Sequence, residues 1–333
     1  MANNITVLNT IWENASDDYQ TRVPVATRTN ITTVGNAILN YASTKNEFLD
    51  ALVNRISLVL VSSKMANNKL SIFKKGMIEY GSDIEEIFTS MANAQTFNVD
   101  TAETEIFKRE QPNVEAIFHR VNREDFYKVT IEEGQIKRAF LSDDGLGKLV
   151  ASIMNSLYSG DNYDEYILMK NLISTYFTDV TTASYIEVPK VQDQTTAQDF
   201  FRTVKQASTD MTFMTDTFNA RGVMQRSEKN EQVLLLHKNV NTYLDVDVLS
   251  WVFNSKNMDF DTQVVILDDF ATLADTQACL VDKDWFMVFD KLFQTSNQYN
   301  AQGLYWNYWL HHHQILSTSQ FHNAIQFKIP AGA

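Results

Sequence analysis

Three consecutive histidines, His311-His312-His313, are the residues of this chain best suited to chemistry, because imidazole is the commonest side-chain ligand for transition metals and titrates near neutrality. Their spacing works against a site. On a strand, His311 and His313 share one face while His312 points to the other, and no Asp, Glu or Cys lies among the neighbouring residues to complete a ligand set. His119 and His322 stand at no ligand-like spacing to them. Adjacent carboxylates occur at Glu85-Glu86, Glu132-Glu133, Asp143-Asp144 and Asp268-Asp269. Acid–base work needs a pocket that brings two carboxyls together and raises one pKa, whereas sequence neighbours diverge, so solvated turns are expected. The lone Cys279 lies in the apolar run Ala278-Cys279-Leu280-Val281, which predicts a buried, inert thiol and excludes an intrachain disulfide. The sequence shows no phosphate-cradling glycine loop, serine nucleophile elbow or calcium loop. These residues point to no enzyme, no cofactor and no metal.

The elements that would position them follow from periodicity. Residues 1–45 are rich in Asn and Thr without sustained period and read as an extended arm that needs a partner to order it. Phe48, Leu49, Leu52, Val53 and Ile56 recur at helical spacing and lead into a strand at 57–61. Residues 63–127 form a charged β excursion without a core of its own. Strands are expected at 69–80 and 114–121, and the turn Asn122-Arg123-Glu124-Asp125 should close a hairpin with 126–131. One amphipathic helix carries Leu146, Leu149, Val150, Ile153, Leu157 and Tyr158 and ends at Gly160; a second starts with Asp161 as N-cap and carries Tyr166, Met169, Ile173, Tyr176 and Phe177. Placed end to end they make a spine of about 45 Å.

Residues 186–270 read as a mixed module. A helix opened by Thr196 and Asp199 carries Phe200, Phe201, Val204 and Ala207, strands fall at 232–237 and 263–267, and Asp245 caps a helix at 246–253. Strands at 278–281 and 285–290 are expected to pair through the turn Asp282-Lys283-Asp284. A long strand begins at Leu304, with Leu304, Trp306, Tyr308 and Leu310 on one face and Tyr305, Asn307, Trp309 and His311 on the other.

Composition narrows the class. In 333 residues, 44% are hydrophobic and 21% charged, ordinary globular usage that excludes disorder. Lys plus Arg total 28 against 41 Asp plus Glu, a net charge of −13 that disfavours direct gripping of nucleic acid. The N-terminus lacks a signal peptide pattern, and the apolar runs at 56–61 and 264–267 fall far short of the about 20 residues of a membrane span. Arm, coreless hairpin and long helix are features that association would cover, so an assembly subunit is expected.

Five stretches then carry a resemblance: Phe73-Lys74-Lys75-Gly76, Ile84-Glu85-Glu86-Ile87, Phe107-Lys108-Arg109-Glu110-Gln111-Pro112-Asn113-Val114, Val281-Asp282-Lys283-Asp284-Trp285-Phe286-Met287-Val288 and Gly303-Leu304-Tyr305-Trp306-Asn307-Tyr308. In these the chain resembles, over residues 23–327, the major head proteins of small Picovirinae-type podoviruses. The resemblance implies an α+β fold of the Hong Kong 97 (Johnson) type. It places an N-terminal arm at 1–45, a peripheral domain at 46–62, 128–185 and 271–333, an E-loop at 63–127 and an axial domain at 186–270. It implies a shell subunit assembling with itself as pentamers and hexamers into an icosahedral or prolate head around double-stranded DNA, in the host cytoplasm. A separate scaffolding protein and a portal protein would be its partners, without a membrane and without a C-terminal immunoglobulin-like module. Lys74, Lys75, Lys108, Arg109 and Arg123 are the candidate intersubunit contacts of the E-loop. The alternatives are an encapsulin-like nanocompartment shell and a His-cluster metalloenzyme.

Overall fold

The computed structural model describes residues 4–41, 43–45, 47–48, 51, 67–79, 83–96, 98–99, 107–140, 145–243 and 262–330. Most of the expected helix and strand at 46–61, the helix at 246–253 and the pair Asp143-Asp144 lie outside them. The strands are β1 (Lys74–Met77), β2 (Ile84–Thr89), β3 (Val114–His119), β4 (Arg123–Glu132), β5 (Ser184–Glu187), β6 (Gln232–His237), β7 (Gln263–Leu267), β8 (Thr276–Asp282), β9 (Phe286–Asn300), β10 (Tyr305–Thr318) and β11 (Ala324–Lys328). They form sheets in the orders β1-β9-β10-β4, β5-β11-β8-β6-β7 and β2-β3.

The chain divides into two compact units. One comprises 1–68, 124–165 and 292–313; the other comprises 69–123, 166–291 and 314–333. The boundary falls inside β4, β9, β10 and the long helix, so the sequence segments 128–185 and 271–333 each contribute to both.

In the first unit the N-terminal residues correct the sequence reading. They form helices Asn4–Glu13, Asp17–Arg22 and Ile31–Asn40 in place of an extended arm. Their apolar residues are few but helically phased: Val7, Leu8 and Ile11, then Val34 and Ile38, are buried with Ile131, Leu157, Trp306 and Leu310. Ser16 caps the second helix by accepting from the Tyr19 amide, and Trp12 Nε1 donates to the Val23 carbonyl (2.8 Å), so local bonds as well as burial order the segment.

The long helix is continuous, Gly145–Asp179, 35 residues and about 52 Å at 1.5 Å per residue. Gly160 does not end it, and Asp161 is not a cap. A Cβ at Gly160 would lie 3.4 Å from the Tyr127 ring, an ordinary van der Waals contact, so the glycine sits inside the helix without ending it.

The second unit is built on the five-stranded sheet. β8 pairs antiparallel with β6 and β11, while β6–β7 and β11–β5 are parallel. Both faces are covered, which is why β6 and β8 read as unbroken apolar runs. Leu234, Leu236, Leu280 and Phe327 meet Phe200 and Val204 of helix Gln194–Asp210 on one face. Val233, Leu235, Cys279 and Val281 meet Met169, Ile173, Tyr176 and Trp285 on the other. That helix starts one turn earlier than read, with Asp193 as N-cap and Thr196 closing the capping box. The expected β8–β9 hairpin does not form. Asp282-Lys283-Asp284 carries the chain from one sheet to another, because β8 already has neighbours on both edges. β1 pairs with β9 through a register shift at Gly76, whose φ of +96° suits a bulge only glycine enters without strain.

Candidate functional site

The histidine run sits on β10 as its spacing predicts, with His312 buried on one side. Sequence proximity missed its partner. Asp161, 151 residues away, places Oδ1 2.7 Å from His312 Nδ1, and both side chains are buried. The Phe293 ring stands edge-on to the imidazole, and His311 lies beside Phe126 on the other face.

The carboxylate pairs resolve differently. Asp268 and Asp269, expected to be solvated, both turn to Lys170, whose ammonium lies 2.9 Å and 3.0 Å from them. Burial works against the Asp268 anion, but hydrogen bonds from Tyr166 and Lys170 overcome it and hold the carboxyl well below the usual range. Glu133 receives Lys45 (3.2 Å) and Lys137 (3.0 Å), and Lys45 lies over the rings of Tyr299 and Trp306. In each cluster one charge bridges two of the opposite sign, so the first keeps an excess negative and the second an excess positive charge. Cys279 is fully buried, and burial alone pushes its thiol up.

The ribbon β2–β3 is more open. Its register pairs Ile84 with His119, Glu86 with Ile117, Ile87 with Ala116, Glu85 with Phe118 and Thr89 with Val114. The hairpin expected between β3 and β4 is thus corrected: β3 pairs with β2, and Asn122 clamps the chain to β10 by exchanging bonds with Leu316 (2.7 and 2.8 Å). Alternation gives the ribbon two faces. Ile84, Glu86, Phe88, Ile117 and His119 turn toward the chain, and Phe88 stacks on Phe321 at 5.7 Å. Ile87, Val114 and Phe118 turn outward and are more than half exposed, and Phe107 in the connection is 89% exposed.

A polar root holds the ribbon. Glu86 accepts from Ser319 Oγ (2.5 Å) and lies 3.1 Å from His119 Nε2, while His119 Nδ1 shares a bond with Ser317 (2.8 Å). His322 stands 3.7 Å from both Glu86 and Asp282. Burial raises the Glu86 pKa, but the bonds from His119 and Ser319 and the nearby His322 outweigh it, so the carboxyl titrates below its ordinary value. A two-stranded ribbon alone is marginal in water, and among the described residues this root joins it to the end of β10 and the residues after it.

The five candidate contacts are unequal. Lys74 pairs with Asp290 (3.2 Å) and Lys75 with Asp284 (2.8 Å), each largely covered. Arg123 is buried and donates to Gln314, which removes its side chain from those a neighbour can reach. Lys108 is exposed beside Glu110 (3.3 Å), and Arg109 is exposed next to it. The expectation weighted charge; the larger exposed feature is apolar, and the signal was the Ile87/Val114/Phe118 set once the strands are paired correctly.

The family model for the Phi29-like phage major capsid protein matches residues 8–328. The major capsid protein of Bacillus phage B103 is 38% identical over 327 residues, covering 96% of this chain and 72% of that protein. That of Streptococcus phage Cp-1 is 28% identical over 344 residues, covering 96% and 93%. Among solved structures, the capsid of Staphylococcus phage Andhra superposes with a TM-score of 0.65 at 12% identity, covering 81% of this chain and 86% of that one. The capsid of Cyanophage P-SCSP1u superposes with a TM-score of 0.56 at 10% identity, covering 81% and 90%.

Proposed function

Since this chain belongs to the Phi29-like phage major capsid proteins, with their α+β fold of the Hong Kong 97 type, we propose that the outward face of β2–β3 is the surface by which its copies join. As a major capsid protein the chain builds the shell of the virion by self-association. The observation that carries the proposal is the exposure of Ile87, Val114, Phe118 and Phe107 on a ribbon whose other face is held by hydrogen bonds and packing. A fixed apolar surface of this kind is stabilised when a partner removes it from water.

Residues 63–127 act as the E-loop, 186–270 as the axial domain, 46–62, 128–185 and 271–333 as the peripheral domain, and the helical segment 1–45 as the N-terminal arm. Copies gather through the axial domains as pentamers and hexamers and close an icosahedral or prolate head in the host cytoplasm. The role is structural, without catalysis or a cofactor. A separate scaffolding protein guides closure, and a portal protein occupies one vertex. The net charge of −13 keeps the wall from gripping the double-stranded DNA it encloses. Lys108 and Arg109 add rim contacts, each worth about 0–1 kcal/mol in an exposed pair. Lys74 and Lys75 act through the strand they anchor.

Negative-stain electron microscopy of the protein, expressed alone and with a scaffolding protein, tests this reading. Closed shells or capsomer rings are expected. A persistent monomer in both preparations overturns it.

A further inference from the structure

Sequence neighbours offer His312 no carboxylate, yet the fold of the first unit supplies two. Asp161 and Glu165 lie one turn apart on the long helix, and both reach the imidazole on β10. Asp161 Oδ1 is 2.7 Å from His312 Nδ1, and a Glu165 carboxylate oxygen lies within 4.8 Å of a nitrogen of the same ring. Asn68 Nδ2 in turn donates to Glu165 Oε2 (2.9 Å). Asn68, Asp161, Glu165 and His312 are each 3% exposed or less. Beside them the wall is apolar: Phe293 stands edge-on to the imidazole at 4.9 Å, and Tyr158 packs on Phe293 at 5.6 Å.

A carboxylate that accepts from Nδ1–H fixes the neutral imidazole in the tautomer whose lone pair is on Nε2. Asn68 likewise occupies one oxygen of Glu165 and leaves the other. Both groups are therefore oriented by hydrogen-bonded partners, which is how histidine and carboxylate ligands of metal ions are held. Two carboxylates at i and i+4 also repel each other, and a cation beside them offsets that repulsion. We propose that His312 Nε2 and the second oxygen of Glu165 ligate a divalent transition-metal ion of the zinc class, with Asp161 and Asn68 orienting the two ligands and water filling the remaining positions. An imidazole beside a carboxylate suits Zn²⁺ at about 2.0–2.2 Å from each, whereas Mg²⁺ and Ca²⁺ favour oxygen ligands alone. The ion ties the long helix to β10 and takes part in no reaction. The site is independent of how copies of the chain join.

Metal content reads this directly. The purified full chain, as subunits or as shells, is stripped with a chelator, dialysed against micromolar Zn²⁺ and then against metal-free buffer, and its ions are counted by mass spectrometry. About one Zn²⁺ per chain is expected. A content below about 0.1 per chain overturns the proposal and leaves a proton shared between His312 and the carboxylates in the ion's place. Replacing both flanking histidines, His311→Ala with His313→Ala, should leave the ion bound; its loss there overturns the proposal, because the more exposed imidazoles would then be the ligands. Glu165→Gln and His312→Gln should each lower the content at least about tenfold in chains that keep their circular dichroism, and a retained ion in either overturns the assignment. Should both variants unfold, the unsubstituted chain decides: Zn²⁺ should raise its thermal midpoint, a chelator should reverse the rise, and Mg²⁺ at the same concentration should have no effect. A midpoint that Zn²⁺ leaves unchanged overturns the site.

Discussion

The five-stranded sheet and the β2–β3 ribbon lie in the same unit and are treated in opposite ways. Every residue of β8 is buried, and apolar side chains on both of its faces are covered by helices and loops of the same chain. The ribbon alternates half-buried and exposed positions, with Phe118 and Ile87 turned to water. Apolar content does not separate them, since both strands of the ribbon are rich in Ile, Phe and Val. The difference is the number of neighbours. A strand in the middle of a sheet has its backbone and both faces satisfied at home, whereas a two-stranded ribbon has an open edge on each strand and one face left for another molecule. The sheet's apolar area is already buried within the subunit, whereas the ribbon's outward apolar side chains contribute to assembly on the reading proposed above.

Substitutions sharpen that contrast, in decreasing order of their effect on the isolated subunit. Phe327→Ala empties a fully buried site under helix Gln194–Asp210 and is expected to cost about 3–5 kcal/mol, read as a lower urea midpoint. A cost below 1 kcal/mol would break the assignment of stability to this sheet. Lys170→Met leaves Asp268 and Asp269 without their cation. Because both carboxylates are about half exposed, the expected cost is about 1–2 kcal/mol, between that of a buried and a surface pair.

Acid should loosen the ribbon before it loosens the sheet. The folded Glu86 carboxyl titrates below its ordinary value, so its contribution is fully present above the ordinary carboxylate range and is lost as pH falls through it. Asp282, raised by burial, works with the opposite sign, so the Glu86 share is isolated by substitution. Hydrogen exchange of β2 and β3, corrected for intrinsic rates, is expected to accelerate between about pH 5 and pH 3. Glu86→Gln should flatten that dependence, and an unchanged profile in the variant would remove Glu86 as its source. Smallest of all is Phe118→Ser, which should alter subunit stability by no more than about 0.5 kcal/mol while abolishing shells under the electron microscope. Loss of both together would mean that the outward face is part of the fold.

How much of this was legible depended on the range of the interaction. β6, β7, the helix over Phe200–Ala207, the alternation along β10 and the buried thiol of Cys279 were readable because each follows from local period. The N-terminal helices are not legible because sparse apolar residues among Asn and Thr carry little period, and burial of Ile11 and Ile38 in one core with Trp306 decides them. Gly160 resembles a stop in sequence, yet the helix runs through it, because the apolar residues on both sides of it are buried by the rest of the chain. Both expected hairpins failed for a common reason: adjacent strands joined by a plausible turn pair with each other only when no distant strand competes. β11 and β6 flank β8, while β2 takes β3.

Alone, then, the amino-acid order determined the composition class, the acidic charge, the location of the apolar runs and, through its motifs, the family to which the chain is similar. Only the tertiary structure decided which strands are neighbours, that Asp161 would meet His312 and Asp268 would meet Lys170, and which apolar side chains would be left facing water. The reason is physical. Local propensity acts over one turn or one strand, whereas burial and strand pairing are settled by groups that the chain brings together from about 30 to more than 150 residues away.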